Sequence, residues 1–370
     1  MKLVLAGGGT GGHIFPAIAL AKKWKEAGDE VTYIGGTNSL EEKLTKNEEI
    51  CFHNIPVKPL PRKLSINLMT SVASNFNAVL KARKILKRED PDIVVGTGGY
   101  VSGATVLAAR LLNIRTLIHE QNSVPGLTNK IAAKFVDKIA LSYKESAVYF
   151  KIKDEKLVLT GNPVRKKLLE VSSQQARNQL NISTDKRVLL VMGGSQGAAS
   201  INQLMIEIYD DLIKIDNLVI IHITGDDDFN KVKAKVDSYK DISQKIIISP
   251  FINNIEYPLA LADLIISRAG AVTLAEITTL GLPAILIPYP YATNNHQYKN
   301  AQILEKSGAA FIYLDDNLNS KVILDQLKNL INDDKKLSEM SNFSKSIGKP
   351  EALDKIYNIA YQMAKNSTSK

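Results

Sequence analysis

Val188–Asn202 reads VLLVMGGSQGAASIN. Five apolar residues (Val188, Leu189, Leu190, Val191 and Met192) predict a short buried strand. The turn Gly193-Gly194-Ser195-Gln196-Gly197 follows, and then the first turn of a helix. Glycines let backbone N–H groups point outward with no Cβ in the way, and the helix behind adds about +0.5 elementary charge at its N-terminus. Strand, glycine turn and helix together make a seat for phosphate. The chain opens on a second copy: Leu3–Ala6, then Gly7-Gly8-Gly9-Thr10-Gly11-Gly12-His13, then an amphipathic helix. Two such units in one chain predict two nucleotide-binding-like domains.

The surrounding sequence agrees. Val31–Ile34, Ile93–Val95, Arg115–Ile118 and Lys138–Leu141 are predicted strands, each near a segment of helical spacing. The second half repeats the pattern with Leu218–Thr224, Lys245–Ser249, Leu264–Ser267 and Ala284–Ile287. Alternating strands and helices predict α/β domains with parallel sheets covered on both faces. The pattern pauses at Gly161-Asn162-Pro163, which puts the interdomain hinge near Asn162–Lys166. A last helix from about Glu351 aligns Leu353, Ile356, Ile359, Ala360 and Met363 on one face, able to pack on either domain.

Composition narrows the function. The chain has 370 residues, fits two ordinary domains, and is 45% hydrophobic and 23% charged. Its single cysteine, Cys51, excludes an internal disulfide and a cysteine-cluster metal site, and suits a reducing cytoplasm. Only Lys2 precedes the first apolar run, far short of a signal peptide, and no window has the ~18 apolar residues of a spanning helix. A net charge of +9 favours an anionic partner. Lys58–Arg88 concentrates that charge: Lys58, Arg62, Lys63, Lys81, Arg83, Lys84, Lys87 and Arg88, with no acid. Met69, Val72, Phe76, Val79 and Leu80 recur there at helical spacing, behind Leu64, Ile66 and Leu68. One reading is a core-facing stripe; the other is an element on an anionic membrane surface. Nucleic acid is disfavoured, because the basic cluster lacks interleaved aromatics.

Gly7-x-Gly9-x-x-Gly12 fits a dinucleotide fingerprint, but the tip of the second strand, Ile34-Gly35-Gly36-Thr37, lacks the acid that would hold a ribose. An NAD site loses most of its support. What remains is a phosphate loop carrying His13, which the helix N-terminus keeps neutral and able to accept a proton. Gly96-Thr97-Gly98-Gly99-Tyr100-Val101-Ser102-Gly103 is a third glycine turn at a strand end, and His119-Glu120-Gln121-Asn122 ends another strand with four polar residues. Such a cluster is costly unless it meets water or a ligand. In the second half Arg268-Ala269-Gly270 leads into Ala271-Val272-Thr273-Leu274-Ala275-Glu276, where Glu276 is able either to bridge vicinal hydroxyls or to offset a helix dipole. Asn294-Asn295-His296-Gln297 forms another polar strand-end loop. Asp226-Asp227-Asp228 contains an Asp-x-Asp but no clustered histidine, and reads as a solvated helix start.

Together these stretches resemble the MurG family, bacterial transferases of glycosyltransferase family 28 that add N-acetylglucosamine to undecaprenyl-diphospho-N-acetylmuramoyl-pentapeptide. The matching pieces are GGTGGH (Gly8–His13), GTGGYVSG (Gly96–Gly103), HEQNSVPGLTNK (His119–Lys130), GNPVR (Gly161–Arg165), GGSQGA (Gly193–Ala198), SRAGAVTLAEI (Ser267–Ile277) and HQYKNA (His296–Ala301). They span nearly the whole chain in the family's order. The sequence departs from many members at Ala104 and at Asn294-Asn295-His296. The resemblance implies a GT-B fold: two Rossmann-like domains facing across a cleft, residues 1–163 joined by a returning C-terminal helix (about 348–366), and residues 164–347. It implies a UDP-N-acetylglucosamine site made by Ser195 and its turn, Arg165, the Ile252 backbone, Ala271–Ala275, Glu276 and Gln297. Asn122 and Thr10-Gly11-Gly12 reach the sugar from the other domain. The acceptor diphosphate lies against Gly8, Gly9, Gly98, Gly99 and Tyr100.

The implied reaction is a single in-line displacement that inverts the anomeric centre and gives a β-1,4 linkage to the muramoyl C4 hydroxyl. His13 is the expected base, with Glu120 and His119 as rivals. The implied partners are UDP-N-acetylglucosamine, the undecaprenyl-diphosphate-linked acceptor and an anionic membrane surface. The implied location is the cytoplasmic face of the inner membrane, as a peripheral protein. No tightly bound cofactor is expected, although free Mg²⁺ is able to assist. The rivals are another GT-B enzyme, such as a glycolipid synthase or UDP-sugar epimerase, and a nucleotide-sugar-binding or membrane-scaffold protein without turnover.

Overall fold

The computed structural model describes residues 1–58, 66–194, 196–239 and 245–366, with the backbone alone for 66–70 and 72. The chain divides into two compact units, Met1–Val164 with Pro350–Lys370, and Arg165–Lys349.

In the first unit the strands are β1 (Lys2–Gly7), β2 (Glu30–Gly35), β3 (Cys51–Asn54), β4 (Ile93–Gly98), β5 (Arg115–Glu120), β6 (Lys138–Leu141) and β7 (Leu157–Leu159). Its helices are α1 (Gly11–Glu26), α2 (Leu40–Asn47), α3 (Ile66–Glu89), α4 (Gly99–Leu111) and α5 (Leu127–Ala132). The sheet is wholly parallel in the order β3-β2-β1-β4-β5-β6-β7. Successive strand residues enter opposite cores. Leu3, Leu5, Tyr33, Val95 and Leu117 pack with Ile14 and Trp24 of α1, while Val4, Ala6, Ile34, Val94 and Ile118 pack with Ala78, Ala82 and Leu86 of α3. Burial on both faces is why these strands read as unbroken apolar runs.

The second unit holds α6 (Lys166–Glu170), α7 (Ser173–Leu180), β8 (Arg187–Met192), α8 (Ala199–Leu212), β9 (Leu218–Ile223), α9 (Phe229–Asp237) and β10 (Ile246–Ser249). It continues with α10 (Glu256–Leu261), β11 (Leu264–Ser267), α11 (Ala271–Leu280), β12 (Ala284–Leu286), α12 (His296–Lys306), β13 (Ala310–Ile312), α13 (Ser320–Ile331) and α14 (Asp334–Ile347). Its parallel sheet runs β10-β9-β8-β11-β12-β13. The last helix, α15 (Ala352–Lys365), buries Ile356, Ala360 and Ala364 in the core that contains Trp24, with Tyr357 and Tyr361 against the indole.

Both sheets therefore have the doubly wound order, in which ligands bind beyond the strand C-termini where the order reverses. In the first unit that point lies between β1 and β4, in the second between β8 and β11. Three expected glycine turns leave those strands, after β1, β4 and β8, and the Arg268–Gly270 segment leaves β11.

The Lys58–Arg88 stripe is corrected in part. The buried face of α3 is Ala78, Ala82, Ile85 and Leu86; Phe76 is 63% exposed and Leu80 42%, so neither is core. Val79 alone of the described stripe side chains packs against the core, half-buried. Leu64, Arg62 and Lys63, and the side chains of Ile66, Leu68, Met69 and Val72, lie outside the described residues. No helix among the described residues is long and apolar enough to cross a membrane.

Candidate functional site

The helices at the two reversal points begin without a side-chain cap: α1 after Thr10, α4 after Gly98, α8 after Ala198 and α11 after Gly270. α2, α7, α13 and α14 are capped by Ser39, Ser172, Asn319 and Asp333, while α5, α6, α9, α10 and α12 have no side-chain cap either. Uncapped N–H groups at a positive helix end suit an anion.

In the first unit the turns after β1 and β4 interlock. The Gly8 N–H donates to Gly98 O (3.3 Å), and Thr97 Oγ1 donates to His13 O (2.7 Å). A Cβ on Gly99 would lie 2.4 Å from Gly8 O, and one on Gly98 2.6 Å from His13 Cδ2. His13 Nδ1 lies 3.0 Å from Gly8 O, a pure acceptor. Nδ1 therefore carries the proton of the neutral ring, and the basic lone pair is on Nε2. Thr10, Gly11, Gly12, Gly8, Gly9, Gly98, Gly99 and half-exposed Tyr100 are thus gathered at one sheet edge with His13.

Gly98 has φ +115°, so alanine there is both strained and in collision with the imidazole. If His13 is the base, Gly98→Ala should lower kcat about 10²-fold by misplacing it. UDP affinity should hold, as should activity in Gly126→Ala, whose Cβ meets open space. Steady-state kinetics of the two variants make the comparison.

The rival bases take different places. His119 is 1% exposed; Nε2 lies 3.0 Å from Gly161 O and 3.1 Å from Ser142 Oγ, and Nδ1 accepts from Gln121 Nε2 at 3.1 Å. Burial pushes it down to about 4, despite the Gly161 hydrogen bond. The buried Glu120 carboxylate accepts from Asn122 N (3.0 Å), Gly126 N (3.2 Å) and Asn129 Nδ2 (2.8 Å). Burial raises its pKa against those hydrogen bonds. His119 and Glu120 pin the 121–129 loop, and Glu120 thereby orients Asn122.

Sequence reasoning also missed an acid. Glu41 folds back to the tip of β2, where its buried carboxylate accepts from Gly36 N (3.0 Å) and fills the space a Gly8 Cβ would need. It supports the turn instead of facing outward as a ribose ligand.

In the second unit the turn after β8 closes with Gly197 N donating to Gly194 O (3.1 Å). Ser195 itself lies outside the described residues. Beside this turn, α11 carries Glu276, 3% exposed, with Arg165 Nε 3.4 Å from Oε1 and no hydrogen bond to that oxygen. Burial raises its pKa to about 7; Arg165 opposes the shift and Glu256 adds to it. A buried carboxylate oxygen without a hydrogen bond has the capacity to accept one from a hydroxyl. Arg165 thus neighbours the carboxylate. Of Ala271–Ala275, Val272, Thr273 and Ala275 are half-buried and Ala271 nearly covered. Leu274 is 0% exposed, with its side chain in the core. Ile252 is half-buried beside exposed Phe251.

A further cluster ties this edge together. Arg268 donates to Ile287 O (3.1 Å), Asp315 Oδ1 (2.5 Å) and Ser200 Oγ (3.0 Å), and Ser200 Oγ donates to the same Asp315 oxygen. It joins the start of α8 to the loop after β12, where Tyr289 N donates to Gln297 Oε1 (2.9 Å). Arg268 stood in a noted motif, but nothing local marks Asp315 or Ser200. Among the described residues no group of three or more His, Cys, Asp or Glu is placed to hold a metal ion.

The family models for the glycosyltransferase family 28 N-terminal and C-terminal domains match residues 3–141 and 188–356. The chain is 46% identical to the "UDP-N-acetylglucosamine--N-acetylmuramyl-(pentapeptide) pyrophosphoryl-undecaprenol N-acetylglucosamine transferase" of Halothermothrix orenii, covering 99% of this chain and 100% of that protein. It is 42% identical to the protein of the same name from Acetivibrio thermocellus, over the full length of both. The crystal structure of Acinetobacter baumannii MurG superposes with a TM-score of 0.77 at 29% identity, covering 98% of this chain and 99% of that one.

Proposed function

The chain belongs to glycosyltransferase family 28, and from that premise we propose that it moves N-acetylglucosamine from UDP-N-acetylglucosamine to the C4 hydroxyl of the muramoyl sugar in an undecaprenyl-diphosphate-linked acceptor, the step that completes the lipid-linked peptidoglycan unit. The observation that carries the reading is a division of chemistry. The second unit has an uncapped helix behind a glycine turn and a buried carboxylate with an unbonded oxygen; the first has a tautomer-fixed histidine among interlocked glycines.

Departing UDP gathers negative charge on its β-phosphate. In this reading the glycine turn after β8, the start of α8 and Arg165 stabilise that charge, as donors fixed by a fold do without reorganisation. Glu276 receives the ribose hydroxyls, the Ile252 backbone the uracil, and Gln297 the sugar. The acceptor diphosphate lies on Gly8, Gly9, Gly98, Gly99 and Tyr100. His13 takes the proton of the attacking hydroxyl through Nε2. One displacement inverts the anomeric centre and yields the β-1,4 linkage. No tightly bound cofactor enters; free Mg²⁺ on the diphosphate is proposed as a stimulus only.

The test is incubation of purified protein with radiolabelled UDP-N-acetylglucosamine and an undecaprenyl-diphospho-muramoyl-pentapeptide analogue. Label in the lipid product with equimolar UDP is expected. Conversion of the donor without acceptor would indicate an epimerase, and binding without turnover a non-catalytic protein.

The acceptor is a membrane lipid, and one face of the first unit suits its surface. Phe76 and Leu80 of α3, Leu107 and Leu111 of α4, and Leu127 and Ile131 of α5 are all exposed, on helices packed side by side. Lys81, Arg83, Lys84 and Lys87 are exposed on α3, and Lys130 Nζ lies 4.8 Å from the ring centre of exposed Tyr149. Apolar side chains ringed by cations fit an anionic bilayer. The protein is therefore a peripheral one of the inner membrane's cytoplasmic face in this reading. It is expected to sediment with anionic vesicles and to be released by salt. Neutralising those four α3 residues should weaken binding by up to about 10³-fold, at about 1 kcal/mol per cation. Binding indifferent to salt and to all four would remove the membrane role from α3.

A further inference from the structure

We propose that His222, a residue of the sheet interior that touches no substrate, sets the position of the diphosphate-binding turn in the second unit. His222 is wholly buried on β9, opposite Val191 of β8. Tyr209 Oη lies 2.5 Å from its Nδ1, and its Nε2 lies 2.9 Å from Asn202 Oδ1. The Asn202 amide nitrogen donates to Thr224 O and to Asp228 Oδ2, both at 2.9 Å.

These contacts allow one proton arrangement. Asn202 Nδ2 only donates, so Oδ1 accepts and His222 carries its proton on Nε2. Nδ1 is then an acceptor for the Tyr209 hydroxyl. Burial holds the imidazole down to about 3, so the ring stays neutral and the chain of donors keeps one direction.

The chain ends on the backbone that supports the turn. A Cβ on Gly197 would lie 2.1 Å from Thr224 O, and one on Gly225 would lie 2.5 Å from Gln196 O. The two segments are in direct contact, with no room for a methyl group between them. Asn202 also sits in the first turns of α8, the helix whose N-terminus faces the turn. The same side chain therefore registers the helix against Thr224. Apolar packing is non-directional, whereas a satisfied buried hydrogen-bond chain adds a directional constraint on the register of α8 over the sheet.

The inference rests on the reading that the 193–198 turn holds the donor diphosphate. Calorimetry with UDP and with uridine, on wild type, His222→Leu and His222→Gln, tests it. Uridine should be bound through Glu276 and Ile252 alone. Wild type is expected to prefer UDP strongly. His222→Leu should lose about tenfold or more in UDP affinity while uridine affinity stays within about twofold, the loss expected when one well-placed hydrogen-bonded contact goes. His222→Gln, which supplies one donor and one acceptor, should recover most of the loss; a merely structural role would lower Tm and both affinities together. Unchanged UDP affinity in a folded His222→Leu, or parallel loss of UDP and uridine, overturns the proposal. Should the leucine variant fail to fold, Asn202→Ala breaks the same chain one link further on and carries the same comparison. A wild type that does not distinguish UDP from uridine would instead overturn the diphosphate reading of the turn.

Discussion

Glu276→Ala should raise the KM for UDP-N-acetylglucosamine tenfold or more, because a hydrogen bond to a charged group contributes about 1.5–3 kcal/mol. Its burial makes the effect pH-dependent as well. The carboxyl titrates near 7 chiefly because it is desolvated, with Arg165 pulling it down and Glu256 pushing it up. The ribose hydroxyls donate hydrogen bonds, so the ionised form is the one that binds them. Donor KM should therefore rise as pH falls below 7, by up to about tenfold per unit. Glu276→Gln should flatten that rise.

The shift also has a sign for stability. A carboxyl whose pKa is raised on folding stabilises the folded state while protonated, and that contribution is lost as pH rises from 4.5 through 7. Ligand-free protein should thus lose part of its Tm across that window, and Glu276→Gln should lose less. A wild-type KM that is flat between pH 6 and 8, with Glu276→Ala unchanged, would remove Glu276 from the donor site.

His13→Ala should lower kcat by about 10²–10⁴, the usual worth of a positioned general base, and leave UDP affinity intact. His119 has both ring nitrogens engaged inside the fold, and Glu120 accepts from Asn122 N and Nδ2, Gly126 N and Asn129 Nδ2. His13 instead stands at the uncapped end of α1 with Nδ1 held by Gly8. A fall in kcat of only a few-fold, or an equal loss of UDP binding, would contradict the base assignment.

The fold was legible wherever a strand is buried on both faces, because such strands cannot avoid a run of apolar residues. β2, β4, β5, β6, β9, β11 and β12 were all found that way. β3, β7 and β13 were not, and all three lie at sheet edges. Their sequences, CFHN, LVL and AFI, are short and half-exposed, and carry too little apolar signal to separate from a loop. The glycine turns were legible too, since backbone that must approach a ligand leaves its mark locally. Partnerships across the chain leave none. The run His119-Glu120-Gln121-Asn122 shows that polar side chains end a strand, but not whether they meet a ligand or their own loop; here the first two meet the loop. Glu41 reaches the β2 tip only because α2 turns it back, and Asp315 meets Arg268 from 47 residues away.

The central claim is that the nucleotide sits on the second glycine turn and not on the first, although both follow a first-in-order strand. Amide hydrogen exchange with and without UDP tests it directly. The account predicts protection on UDP binding in residues 193–202, 222–228, 250–254 and 270–277, with residues 7–13 unchanged. Protection of residues 7–13 with the 193–202 segment unaffected would contradict it.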